Sequence, residues 1–238
     1  MKKAIVTGAN RGIGRAIAEC LAESGYDVVA HCRLPEDAAA TAEALRRFGS
    51  SGGYLAFDVA DRAAASAALG AWMRANGAPW AVVLNAGCAA DAPFPAMDDA
   101  DWDCVVETAL GGFRNVLKPL ALGMALSREG GRIVAVTSAS AFRGRAGQAN
   151  YAAAKAGVEA AAMSLAAELA PRGVTVNCVA PGWIATRMTE GMEREILPSI
   201  PAGRFGRPEE VAALVRFLVS PEAAYITRQT VRIDGGLQ

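Results

Sequence analysis

Seven short, apolar, largely β-branched runs recur along the chain, and a stretch with helical patterning lies between most of them. The runs are 3–7 (KAIVT), 27–32 (DVVAHC), 53–57 (GYLAF), 80–85 (WAVVLN), 132–137 (RIVAVT), 174–180 (VTVNCVA) and 229–233 (QTVRI). Several are apolar at successive positions instead of alternating. That pattern suits strands covered on both faces, the situation of a parallel sheet. The helical stretches fall near 12–24, 36–48, 61–76, 98–127, 150–171 and 208–219. Parallel neighbours need crossovers, and these are right-handed. The expectation is therefore one α/β domain spanning 1–238, a doubly wound, Rossmann-like parallel sheet of about seven strands with helices on both faces. Residues 182–207 break the pattern with Gly and Pro and read as a substrate lobe or lid over the sheet's C-terminal edge.

Composition narrows the function classes. Twenty-four Lys plus Arg balance twenty-four Asp plus Glu, which argues against a general polyanion or nucleic-acid binder. No run of ~18 apolar residues is present, so no membrane span is expected. The apolar start stops at Gly8-Ala9-Asn10-Arg11, too early for an export leader. Cys20, Cys32, Cys88, Cys104 and Cys178 are odd in number and scattered, and read as reduced core thiols, not a disulfide framework. A cytoplasmic setting follows. The one histidine, His31, cannot supply a zinc site, and no metal is expected. A Ser-His-Asp hydrolase would have to use that same residue, which falls beside a nucleotide site.

The first strand runs into Thr7-Gly8-Ala9-Asn10-Arg11-Gly12-Ile13-Gly14, and a helix follows. Glycines there permit a tight turn and let a pyrophosphate reach free N–H groups at a helix N-terminus. Asn85-Ala86-Gly87 follows the fourth strand, where a turn of small residues lets the backbone approach a ribose closely. Ser138 follows the fifth strand, Tyr151-x-x-x-Lys155 opens the next helix, and Pro181-Gly182 closes the sixth strand.

These motifs, in this order over nearly the whole chain, resemble the short-chain dehydrogenase/reductase family. Gly147-Gln148-Ala149-Asn150-Tyr151, Pro201-Ala202-Gly203-Arg204 and Ala224-Tyr225-Ile226-Thr227 are most similar to its 3-oxoacyl-carrier-protein reductases. Val83-Leu84-Asn85-Ala86-Gly87 and Tyr225-Ile226-Thr227-Arg228-Gln229 also resemble ketoreductases of aryl-polyene clusters. The resemblance implies dinucleotide contacts at Gly8, Asn10, Arg11, Gly12, Ile13 and Gly14, at Arg33, and at Asp58 and Val59 beside adenine. It implies more at Asn85, Ala86, Gly87, Tyr151, Lys155, Pro181 and Gly182, with Ile184 and Thr186 holding the nicotinamide carboxamide.

The second strand ends Ala30-His31-Cys32-Arg33 without a carboxylate, so nothing there favours the free ribose hydroxyls of NAD. Arg11 and Arg33 suit a phosphate dianion instead, which predicts NADPH/NADP+. Tyr151 and Lys155, four residues apart, share a helix face. Carbonyl reduction needs a hydride and a proton for the developing alkoxide. An ammonium ~4 Å from a phenolate oxygen stabilises it by about 4 kcal/mol at an effective dielectric of ~20. By resemblance Tyr151 is the acid/base, Lys155 tunes it and holds the ribose, and Ser138 orients the carbonyl.

One departure stands out. Many family members carry asparagine in the long helix after the fourth strand, helping to hold a water that relays protons to the lysine. Here Ala109 takes that place, with Asn115 too far on to replace it. Slowed turnover is expected, or a weakly active partner subunit. The resemblance further implies a 3-oxoacyl thioester on an acyl carrier protein as substrate, in fatty-acid-like or polyene biosynthesis. Reduction or oxidation of another small ketone or alcohol is the alternative. By resemblance Arg172 matches one position where the family docks its carrier beside the active-site mouth, and Glu129, with Arg128 adjacent, stands where another basic residue is often found. Phe94, Met97, Trp183, Met188 and Met192 either line an acyl channel or form the lid's own core. By resemblance a homotetramer is expected, paired through the long helices and the C-terminal strand region.

Overall fold

The computed structural model describes residues 1–237. Seven strands form one parallel sheet in the order β3-β2-β1-β4-β5-β6-β7. They are β1 (Lys3–Thr7), β2 (Asp27–Cys32), β3 (Tyr54–Ala56), β4 (Ala81–Leu84), β5 (Gly131–Val136), β6 (Val174–Pro181) and β7 (Thr230–Ile233). Each pairs in parallel, as in Ile5↔Val29, Ile5↔Val82 and Val134↔Asn177. The non-alternating runs are explained directly: β2, β4, β5 and β6 are buried at every position.

The longer helices are α1 (Gly12–Glu23), α2 (Pro35–Leu45), α3 (Arg62–Asn76), α4 (Asp99–Val106) and α5 (Gly112–Leu126). After β5 come a four-residue turn of helix, α6 (Ser140–Arg143), and α7 (Ala149–Leu169). α8 (Glu193–Ile196) and α9 (Pro208–Val219) complete the set. Two cores result, one on each face of the sheet. One packs Leu69, Phe113, Val116, Leu120 and Val158 against Ile5, Val82 and Ile133. The other packs Ile17, Leu21, Val211, Val215 and Leu218 against Val6, Val28 and Val83. Alternate side chains of one strand thus feed opposite layers, the geometry that strands impose.

The helix expected over 98–127 is interrupted. A π turn spans Glu107–Gly111, between α4 and α5. Gly111-Gly112, at its end, contributes little intrinsic helix stability to oppose it. A Cβ on Gly112 would press on Val59 Cγ2 at 3.0 Å, so the glycine admits α5 close to the β3–α3 loop. Asn115 points away from the site, its amide donating to Val59 O at 3.0 Å.

Residues 182–207 hold α8, a short 3₁₀ turn and a small cluster of their own. Ile196, Ile200 and Phe205 form its centre, with Trp183, Met192, Leu197 and Leu237 around them. Trp183 and Met192 are therefore core of this lobe, whereas Phe94 (67% exposed) and Met188 (58%) remain open. Among the described residues no helix is long and apolar enough to cross a membrane.

Candidate active site

The strand order reverses between β1 and β4, and the crevice beyond the carboxyl ends of these strands is where such sheets bind ligands. The glycine turn sits there. Gly8 and Gly12 have φ of 65° and 53°, in the region open chiefly to glycine. Gly14 has ordinary backbone angles, but a Cβ on it would overlap the Gly8 carbonyl and the Asn85 amide. The turn is thus folded onto itself so tightly that its outer surface is bare backbone.

What holds it is Thr7, at the end of β1. The buried Thr7 hydroxyl accepts from Asn85 N at 2.9 Å and Ala86 N at 3.0 Å. In return the Asn85 amide donates to Thr7 O at 3.1 Å and Gly8 O at 3.2 Å. Asn85 therefore braces the glycine turn with its side chain, and Ala86 and Gly87 present the backbone. No pattern local to Thr7 announces this, because its partners lie 78 and 79 residues away.

At the adenosine end, Arg11 and Arg33 are exposed, and neither forms an ion pair among the described residues. Asn10 donates to Asp37 Oδ2 at 3.0 Å, which engages a carboxylate near this turn. Asp58 is exposed and accepts from Ala60 N at 2.9 Å, while the Val59 side chain is buried against α5. The helix cap of α3 is Asp61, which accepts from Ala63 N and Ala64 N. Ile13 is half-buried against the α1–α9 core. Across the crevice, a Cβ on Gly12 would meet Thr186 Cγ2 at 3.6 Å, so Thr186 stands over the start of α1. Ile184 is buried and bridges to Gly206. Gly182 leaves room for Asp234, whose Cα would lie 2.8 Å from an added Cβ.

At the other end of the crevice, Lys155 is 5% exposed and its ammonium donates to Val136 O at 2.9 Å. That carbonyl is two residues before Ser138, so the bond fixes the helix to the end of β5. Lys155 Nζ stands 5.6 Å from the centre of the Tyr151 ring. A Cβ on Gly87 would be 3.6 Å from the same nitrogen, so the Asn85–Gly87 turn lies against it. Ser138 Oγ accepts from Ser140 N at 3.1 Å, which locks the strand exit into α6.

Two more residues support this end. Asn150, fully buried, donates to Ala90 O at 3.0 Å and Asp101 O at 3.3 Å, tying the 88–97 loop and α4 to the start of α7. Glu159, one turn beyond Lys155 and buried, accepts from the Thr137 hydroxyl at 2.6 Å. Burial raises its carboxyl above the usual range, and Thr137, Arg232 and Lys155 oppose that rise.

Ala109 lies in the π turn, 7% exposed. Beside it a cavity of about 20 Å³ is lined by Thr108, Ala109, Val59, Ala86, Val136 and Lys155, among others. A single water needs roughly 10–15 Å³ on this scale, so the space admits one. Arg172 ends a 3₁₀ turn after α7, immediately before β6 begins. α7 has 21 residues, about 30 Å at 1.5 Å per residue, and Tyr151 is at its start. Arg172, Arg128 and Glu129 thus sit at the amino-terminal edge of the sheet, away from this chain's own crevice.

The cysteines also differ from expectation. Cys32 and Cys178 are buried, but Cys20 and Cys88 are half-buried and Cys104 is exposed. Cys88 Sγ lies 3.5 Å from Cys104 Sγ. His31 is 2% exposed, with Nε2 on Phe57 O at 3.0 Å, so it is a strand residue with no route to a substrate.

A doubly wound parallel sheet with a glycine turn at its switch point defines the Rossmann-like class. A family model described as enoyl-(acyl carrier protein) reductase matches residues 8–238. The 3-oxoacyl-[acyl-carrier-protein] reductase of Aggregatibacter actinomycetemcomitans is 51% identical over 236 residues, 98% of each chain. Those of Vibrio harveyi and Escherichia coli K12 are 44% and 42% identical over 240 residues, 99% of this chain and 97% of theirs. The chain belongs to the short-chain dehydrogenase/reductase family.

Proposed function

We propose that the chain reduces the 3-oxo group of an acyl thioester carried on an acyl carrier protein, with NADPH as reductant. The relatives named above are reductases of that substrate class. The observation that carries the reading is the buried Lys155 ammonium, anchored on Val136 O at 2.9 Å and facing the Tyr151 ring. A buried cation beside a phenol is what a proton donor to a developing alkoxide requires. The crevice fits the dinucleotide: Gly14 leaves no room for a side chain, and Arg11 and Arg33 at the adenosine end are exposed and form no ion pair among the described residues. Asp37 is a carboxylate there that disfavours a phosphate, and Asn10 engages it.

When bound, the reduced nicotinamide supplies the hydride. Ser138 then hydrogen-bonds the carbonyl oxygen, and Tyr151 O–H gives its proton to that oxygen as charge develops. Lys155 stabilises the phenolate left behind, returns a proton to it, and is itself reprotonated from solvent through a water that the adjoining cavity can admit. Thr186 and the backbone at Ile184 hold the carboxamide end, and Pro181-Gly182 set their position. Residues 182–207 form the lobe over the acyl group, with exposed Met188, and Phe94 across the crevice, as its apolar contacts. We place the protein in the cytoplasm as a homotetramer. Exposed Leu122, Leu126 and Met163 on α5 and α7 give apolar surface for that assembly. Carrier docking at Arg172 would then serve a neighbouring copy's crevice, since it is remote from its own.

Ala109 favours a second reading, a partner subunit with slow chemistry of its own. One experiment separates these: NADPH oxidation by the purified chain with a short 3-oxoacyl thioester, the same acyl group on a carrier, a free ketone and an enoyl thioester. The proposal expects turnover of both 3-oxo substrates, faster on the carrier. Turnover only of the ketone or the enoyl compound contradicts it, and none at all supports the partner reading.

A further inference from the structure

We propose that Cys88 and Cys104 form a thiol modification site, which takes up low-molecular-weight disulfides and closes into an intrachain disulfide beside the crevice. Cys88 follows Gly87 directly, and Cys104 is on α4. Their sulfurs are 3.5 Å apart, and Cys88 Sγ also approaches Cys104 O at 3.4 Å. A disulfide is about 2.05 Å long, so closure asks for roughly 1.5 Å of movement. The pair is unequal. Cys104 is exposed, whereas Cys88 is half-buried. Burial pushes the Cys88 thiol up, with Cys104 adding to the rise and Thr108 opposing it. Cys104 is therefore the attacking thiol.

The chemistry balances as follows. The Cys104 thiolate, its proton released to solvent, attacks one sulfur of the small disulfide. That S–S bond breaks and one thiolate leaves, taking up a proton. Cys88 then loses its proton and attacks Cys104 Sγ, expelling the second small thiolate. Two protein thiols are oxidised to one disulfide, and the small disulfide is reduced to two thiols.

The site matters because of what Cys88 adjoins. It packs with Val106, Ala90 and Tyr151 around Val105, Ala109 and Ala154, so α4, the π turn and α7 meet there. Gly87, its neighbour, lies against the Lys155 ammonium. Drawing Cys88 toward α4 pulls that turn from Lys155, and a shift near 1 Å in such a position costs turnover heavily.

The test uses the full chain with oxidised glutathione and reads intact mass, a peptide map and reductase rate. The proposal expects a loss of about 2 Da located at Cys88–Cys104. It expects a fall in rate of roughly ten-fold, restored by dithiothreitol. Cys104→Ser should keep the reduced enzyme's rate and show neither change. Two free thiols, a persistent glutathione adduct, a link to another cysteine, or a link between two chains would overturn it. The rate arm rests on the reductase reading, but the mass arm does not. Mass loss in a chain that reduces no 3-oxoacyl thioester sinks that reading and leaves the site standing.

Discussion

At the scale of single residues, the proposed chemistry rests on Tyr151, Lys155 and Ser138, while Thr7, Asn150 and Glu159 brace the backbone around them. Tyr151, Lys155 and Ser138 could be singled out because spacing and chain order carry them. The bracing roles of Thr7, Asn150 and Glu159 are not written locally, because each acts through a partner distant in sequence, as Glu159 does with Thr137 22 residues earlier. Arg33 was legible as the absence of a carboxylate. Its replacement by Ala should remove a charge-assisted contact to a 2′-phosphate, lowering kcat/KM for NADPH about 10- to 100-fold while leaving NADH unchanged. Steady-state rates with both dinucleotides check this, and an equal fall for both would make Arg33 structural.

His31 makes a second residue-scale prediction. Burial lowers its pKa to about 4, against the opposing pull of Phe57 O and Asp58. Its Nδ1 is buried and makes no geometrically good hydrogen bond among the described residues. The unfolded chain takes up that proton through pH ~6.5. The stability this ring contributes is whole above that pH and is lost as pH falls through about 4, on the order of 3 kcal/mol. Urea unfolding at pH 7 and pH 4.5 should show the loss in the native chain and much less of it in His31→Gln. Equal losses in both would show that His31 is not the titrating group.

Among elements, strands and most helices matched their sequence signatures to within a few residues, because non-alternating apolar runs have few other uses. The π turn did not. Its cause is tertiary, the approach of Gly112 to Val59, and periodicity over 98–127 carries no trace of it. π turns often mark functional sites, and this one presents Ala109 to the cavity beside Lys155. Ala109→Asn should raise kcat several-fold if the missing side chain limits proton return. An unchanged kcat would mean the water relay runs without it. The glycine turn makes the opposite kind of prediction. Gly14→Ala forces a methyl into the Gly8 carbonyl, an overpacking that costs about 1–3 kcal/mol. It should weaken dinucleotide binding and lower the melting temperature together. A variant that binds normally would show that the turn yields freely.

For the molecule as a whole, the order of the strands gathers the motifs. Residues 8, 85, 138, 155 and 186 are far apart in the chain, yet parallel crossovers bring every one to the carboxyl edge of one sheet. That convergence was readable, since right-handed crossovers leave few other arrangements. The placement of Arg172 at the far edge was not, because motif matching gives order but not distance. The claim beneath all of this is a phenol made a proton donor by a buried ammonium. The direct measurement is Tyr151→Phe, with NADPH affinity and 3-oxoacyl thioester turnover taken on the same sample. Turnover should fall about 10²- to 10⁴-fold with affinity nearly intact. A variant that still turns over at the native rate, or that loses binding in equal measure, would contradict the account.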